Sequence, residues 1–161
     1  MTATLNPIYV IGSINTDMVA MTGVLPSPGE TVMGGEFMMT AGGKGANQAV
    51  AAARMGGDVT MIGRLGNDVF ADQSIKRLKN ENINCEFITK DTEKASGVAL
   101  ISVDKNGENH IVVAPGANAT LTKEHLKAVL KQMPDNAIVM MQLEIPLESV
   151  ASVIEFCKKS N

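Results

Sequence analysis

Apolar positions along the chain come in short blocks whose period switches between two and about three and a half. Residues 8–11, IYVI, form a β-branched run that ends at Gly12 and reads as a buried strand. Residues 18–21 and 31–39 read as two further strands, separated by the breaker-rich loop LPSPGE at 25–30. Over 45–55 the small residues Ala46, Ala49, Val50 and Ala53 share one helical face, able to lie close on a sheet. Gly56 and Gly57 end that helix. A strand is expected at 59–62 and a helix at 68–80.

The rhythm then changes. Residues 97–103 and 110–114 are apolar runs flanking DKNGE, and Asn106-Gly107 at its centre predicts a two-residue type I′ hairpin. Helix returns at Thr122, with Leu121 and Leu126 placed as a hydrophobic staple across its start. Pro134, Asp135 and Asn136 turn the chain into a strand at 137–141, expected to be central and buried on both faces. A last helix follows Pro146, over 147–158. Strands alternating with helices imply a parallel sheet with right-handed crossovers. The two antiparallel inserts break that rhythm and predict a separate small sheet projecting from the main one.

Composition narrows the function classes. In 161 residues, 45% hydrophobic content supports a real core, and a net charge of −3 with no basic stripe excludes nucleic acid as the main partner. No apolar run is long enough to span a bilayer, and no signal peptide is expected. Cys85 and Cys157 lack metal-type spacing and read as ordinary thiols of a reducing cytoplasm. The 11 methionines read as adaptable core filler. His110 and His125 read as structural: His125 lies within a surface helix, and His110 begins a strand with no second ligand nearby.

The stretch AGGKGANQA at 41–49 holds the candidate chemistry. It is not a P-loop, because Met38 stands where the first glycine belongs and Gly45 follows Lys44. It is not a dinucleotide fingerprint either, because Gln48 occupies the place of the third glycine. In an open parallel sheet, ligands bind beyond the carboxyl ends of the strands. Asn15 and Asp17 follow the first strand, Gly43, Lys44 and Asn47 open a helix, and Glu144 closes the strand at 137–141. Two carboxylates would repel a phosphate. They suit a polyol, because a carboxylate accepts from two vicinal hydroxyls while amides and an ammonium donate to other oxygens. Taken singly, Asp17 reads equally as a turn cap, Glu144 as a solvated loop acid, Lys44 as a surface charge and the glycines as helix-start residues. Their convergence on one side of the sheet favours the shared site.

The runs GSINTD at 12–17, PGET at 28–31 and GGKGANQ at 42–48 resemble the ribokinase family of sugar kinases, the PfkB-type carbohydrate kinases. So do SGVAL at 96–100, PGAN at 115–118 and MQLE at 141–144. The likeness is to ribose-phosphorylating members more than to nucleoside or fructose kinases, and it covers nearly the whole chain in order. It implies an α/β three-layer sandwich with a mostly parallel sheet and a small projecting β-sheet lid. Residues 1–161 would be the amino-terminal part of one such domain, with lid segments at approximately 17–40 and 96–114. Asn15, Asp17, Gly43, Lys44, Asn47 and Glu144 match the family's ribose-contacting positions. Ala99 and Ile111 fall where the lid gives apolar contacts to the sugar, and paired lids imply a homodimer. The resemblance further implies ATP, Mg2+ and a monovalent cation such as K+. The family's Gly-Ala-Gly-Asp motif, with its aspartate base, is nowhere in the sequence. The adenine pocket and the metal-associated residues also belong to the half not matched. The chain is therefore expected to carry the sugar-binding half and to lack activity alone. The alternative readings are a kinase for another sugar or nucleoside, and a non-catalytic sugar-binding or dimerising fragment.

Overall fold

The computed structural model describes residues 6–160. Four strands, β1 (Ile8–Ile11), β4 (Val59–Gly66), β5 (Ile88–Asp91) and β8 (Ile138–Met141), form a sheet in the order β5-β4-β1-β8, every pairing parallel. Strand alternation divides the side chains between two cores. Val10, Val59, Met61 and Leu65 pack with Ala46 and Ala49 of helix α1 (Lys44–Arg54) and with Ala71 and Leu78 of α2 (Val69–Asn80). Ile11 and Ile62 face the other way, onto Leu126, Val129 and Leu130 of α3 (Lys123–Leu130) and Val150 and Val153 of α4 (Leu147–Ser160). Helices therefore cover both faces, giving three layers. The staple at the start of α3 forms as expected, with Leu121 and Leu126 buried in one cluster. His125 is structural: its Nδ1 accepts from the Thr122 backbone N–H at 3.3 Å, closing the first turn. Cys85 and Cys157 are free thiols.

The second sheet has the order β3-β2-β6-β7, from β2 (Asn15–Met21), β3 (Glu36–Gly42), β6 (Gly97–Val103) and β7 (Asn109–Ala114). Each insert is an antiparallel pair, but the two are joined through a parallel pairing of β2 with β6.

Several expectations need correction. Asn15 and Asp17 follow β1 as expected, but the strand expected over 18–21 already starts at Asn15, so both lie inside β2, whose backbone pairs with neighbours on both sides. The strand expected over 31–39 lies instead at Glu36–Gly42. Gly34 and Gly35 take positive φ, and a Cβ on Gly35 would sit 2.1 Å from the Met21 carbonyl, so the chain turns there and pairs only afterwards. The turn at 104–108 is not type I′, because only Gly107 has positive φ. Asp104 Oδ1 accepts from the N–H groups of Asn106 and Glu108, at 2.8 and 3.0 Å, and so holds a three-residue loop with Gly107 as its left-handed residue. The strand at 137–141, whose pattern reads as central but whose outer neighbours the resemblance puts in the half not matched, is β8 at an edge of the described sheet, with Ile138 48% exposed as that reading expects. The methionines are not all filler: Met61 is buried, whereas Met33 and Met55 are almost fully exposed.

Candidate functional site

The GGKG run joins the two sheets. β3 ends at Gly42, and Gly43 caps α1 with φ 89°. A side chain on Gly43 would be strained in φ and would bring its Cβ within 2.7 Å of the Ser13 carbonyl. Gly45 lies so close to the turn after β1 that its own Cβ would meet the Ser13 N–H at 2.7 Å. This contact places the start of α1 against the carboxyl end of β1 and brings Ser13 next to Lys44.

Glu144 comes to the same point from the end of β8. Its Oε2 accepts from the Ser13 hydroxyl at 2.7 Å and from the Lys44 backbone N–H at 3.1 Å, and its Oε1 pairs with Lys44 Nζ at 2.5 Å. Ser13 Oγ in turn accepts from Gly45 N–H at 3.3 Å. Burial pushes the Glu144 carboxyl up, but the hydrogen bonds from Lys44 and Ser13 outweigh it and hold the group below the usual glutamate value. Lys44 is largely exposed, so its ammonium can share donors with a ligand at little cost.

Asp17 differs in kind. Its carboxylate lies over Gly42, where a Cβ would meet Oδ1 at 2.0 Å, and no hydrogen bond reaches it from the described residues. Partial burial, and then the charge of Glu144, raise its pKa above the ordinary value. When ionised it is an acceptor-only group with open capacity. Strand pairing sets Ala99 directly opposite Asp17 on β6, and Ile111 two pairs further along on β7, so all three lie on one face of the small sheet. Ala99 is buried and Ile111 is half exposed.

Asn15 is buried two positions before Asp17, and its Oδ1 accepts from Asn118 Nδ2 at 2.7 Å. Asn47 stands exposed on the first turn of α1. Both line a cavity of about 450 Å³ between β3 and helices α1 and α2, which extends to the Arg54–Glu81 ion pair. Asp17, Lys44 and Glu144 do not line it. The sequence-predicted residues thus form two neighbouring groups: Lys44–Glu144 with Asp17 nearby, and Asn15 with Asn47. Behind them Gln142 Nε2 donates to Gln48 Oε1 at 2.6 Å, while its buried Oε1 has no partner.

Two site-shaping residues carried no expectation from the sequence. Ser13 holds Glu144, and Asn118, 1% exposed, holds Asn15. Both lie in the quoted runs GSINTD and PGAN, so position was the only available signal. Among the described residues, no three His, Cys, Asp or Glu gather as a metal cage. No helix among the described residues is long and apolar enough to cross a membrane. The arrangement offers acceptors at Asp17 and Glu144, donors at Lys44, Asn15 and Asn47, and apolar contact from Ala99 and Ile111, the donor set of a small polyhydroxylated ligand.

Comparison with known proteins agrees with this chemistry. Residues 6–161 match the family described as pfkB family carbohydrate kinase. A deoxyribokinase of Salmonella typhi is 40% identical over 152 residues, covering 94% of this chain and 50% of the relative. A ribokinase of Bacillus subtilis is 41% identical over 150 residues, covering 93% and 51%. The structure of Arabidopsis thaliana ribokinase complexed with ribose and ATP superposes with a TM-score of 0.83 at 29% identity, covering 98% of this chain and 51% of that one. The chain spans about half the length of the curated relatives it matches.

Proposed function

The chain belongs to the pfkB family of carbohydrate kinases, and on that premise we propose that it is the sugar-binding half of a kinase transferring the ATP γ-phosphoryl group to O5 of D-ribose. The observation that carries this reading is Asp17, a carboxylate held on the lid face with no partner among the described residues. Two adjacent sugar hydroxyls would donate to it. Lys44, Asn15 and Asn47 would donate to the remaining oxygens, and Glu144, kept ionised by Ser13 and Lys44, would accept one further hydroxyl. Ala99 and Ile111 would cover the apolar face of the ring. This half grips and orients; such placement is a large part of phosphoryl-transfer catalysis. ATP supplies the phosphoryl group. The aspartate base and the contacts to Mg2+ and K+ are expected from the Gly-Ala-Gly-Asp half, which this sequence does not contain. The reaction would take place in the cytoplasm.

The small sheet would act as a lid and, in pairs, as a homodimer interface. Its outer face supports this, with the cross-strand row Met39, Met18, Leu100 and Val112, of which Leu100 and Val112 are more than half exposed. A second reading, phosphorylation of deoxyribose, is favoured by the 40% identity to a deoxyribokinase.

The test is calorimetric titration of the chain with ribose, 2-deoxyribose and fructose, alongside an ADP-release assay. Saturable ribose binding that Asp17→Ala abolishes is expected, with no turnover approaching 1 s⁻¹, roughly the low end of kinase rates. Binding of 2-deoxyribose in preference to ribose selects the second reading. Binding of none of them, or binding indifferent to Asp17, rejects the proposal.

A further inference from the structure

Asn118 lies in the 3-10 turn at Gly116–Thr120, more than a hundred positions from Asn15, and is fully buried beside it. Its amide is fixed by the backbone. Oδ1 accepts from Ile14 N–H at 2.9 Å, and Nδ2 donates to the Ile14 carbonyl at 3.1 Å. A backbone N–H only donates and a carbonyl only accepts, so reversing the Asn118 amide would break both bonds. Its second Nδ2 proton then points at Asn15, which must offer Oδ1 to receive it. Asn15 Nδ2 is left with no hydrogen-bond partner among the described residues, and it is not among their buried unsatisfied atoms. Asn15 lines the cavity with Thr40, Gly42 and Asn47, and Nδ2 is the end of its amide left free there.

We propose that Asn118 is a positioning residue that locks the Asn15 amide so that only its Nδ2 is presented to the ligand, making Asn15 a donor-only point. An unrestrained asparagine offers either its donor or its acceptor end. A locked one selects. Asn15 and Asp17 sit two apart on one face of β2, one donor-only and the other acceptor-only. A ligand that reaches both must accept at Asn15 and donate at Asp17, and that polarity runs in one direction. A ligand that offers only a donor at Asn15, such as an ammonium in place of the hydroxyl, is rejected. The identity of the ligand as a sugar rests on the function proposed above; the lock itself does not.

Amide exchange measured by NMR on the ligand-free chain tests the lock without any sugar. The Asn118 side-chain protons should exchange slowly and those of Asn15 at least tenfold faster. Equal protection of the two overturns the proposal. In ribose titrations, Asn15→Asp keeps an acceptor for Asn118 but turns an acceptor toward the ligand, and affinity should fall about tenfold to a hundredfold, by the usual cost of an unpaired polar group. Asn118→Ser, too short to hold both partners, should weaken ribose about tenfold in the wild-type background and not at all when Asn15 is already alanine. A lower melting temperature with unchanged ribose affinity, or an equal loss in the Asn15→Ala background, overturns the positioning role. If the wild-type chain binds no ribose, the function proposal fails while the exchange pattern still decides the lock.

Discussion

At the scale of single residues, Asp17 separates a ligand-binding role from a structural one. A group that caps or bridges costs stability when removed, but the Asp17 side chain is hydrogen-bonded to none of the described residues and its charge is disfavoured by burial. Asp17→Ala should leave thermal stability unchanged or slightly raised, and should weaken ribose binding about 10² to 10⁴-fold, because two charge-assisted bonds are worth about 1.5 to 3 kcal/mol each. Melting curves and calorimetry on the same samples check both halves. The pH dependence has a definite sign. Asp17 must be ionised to accept, and its pKa lies above the ordinary 3.8, so affinity should fall with acidification earlier than an unperturbed aspartate would dictate. Glu144 is shifted the other way, so its bridge to Lys44 should outlast the loss of affinity as pH drops further. Titrations from pH 7 to pH 4 report the order, and Asp17→Asn should remove the first step. The polar residues at 44, 47 and 144 stand out in the sequence near glycines or past a strand end, and those at 15 and 17 because they come soon after the apolar run 8–11. The roles of Ser13 and Asn118 do not, because both act on side chains more than a hundred positions away.

At the scale of elements, the root of β6 depends on one carboxylate. Asp68 caps α2 through Ala71 N–H at 3.0 Å and also accepts from the backbone and hydroxyl of Ser96, each at 2.7 Å, just before β6 begins. Ser96 Oγ in turn accepts from Gly66 N–H at the end of β4. Asp68→Ala should lower stability by about 1 to 2 kcal/mol, the loss of a cap with its added partners, and should speed amide exchange in β6 before β4. Scanning calorimetry and exchange mass spectrometry would show both. The helices and the buried strands could be read from periodicity because their apolar spacing is strong. β5 could not: ITKD carries one apolar residue, and its pairing comes from the second half of β4. The hairpin could be placed but not typed, because Asp104 supplies bonds that free Asn106 from positive φ.

At the scale of the whole molecule, the open side of β8 dominates. Its backbone pairs with β1 on one side and with no described strand on the other, with Ile138 half exposed. Such an edge invites pairing with another chain. Size exclusion with light scattering should show association that grows with concentration, and Ile138→Lys should suppress it. If the outer face of the small sheet is the dimer interface proposed above, Leu100→Asp should suppress association through it instead. The three-layer plan could be read from the alternation of elements; that 137–141 is open on one side could not be read from its apolar signature, which is that of a central strand, and is expected only from the resemblance, whose further strands this sequence does not match. The parallel pairing of β2 with β6 has a kinetic consequence. Asn15 lies opposite Gly97, so the small sheet joins segments about eighty residues apart, with α1, β4, α2 and β5 between them. Closing that loop is entropically expensive until the intervening units have collapsed, which places the small sheet late on the folding pathway. Truncating Val19 or Ile101 should therefore accelerate unfolding in stopped-flow experiments while leaving the refolding rate nearly untouched. The surface proposed to close over the sugar would be the last part of the chain to gain its shape and the first to lose it.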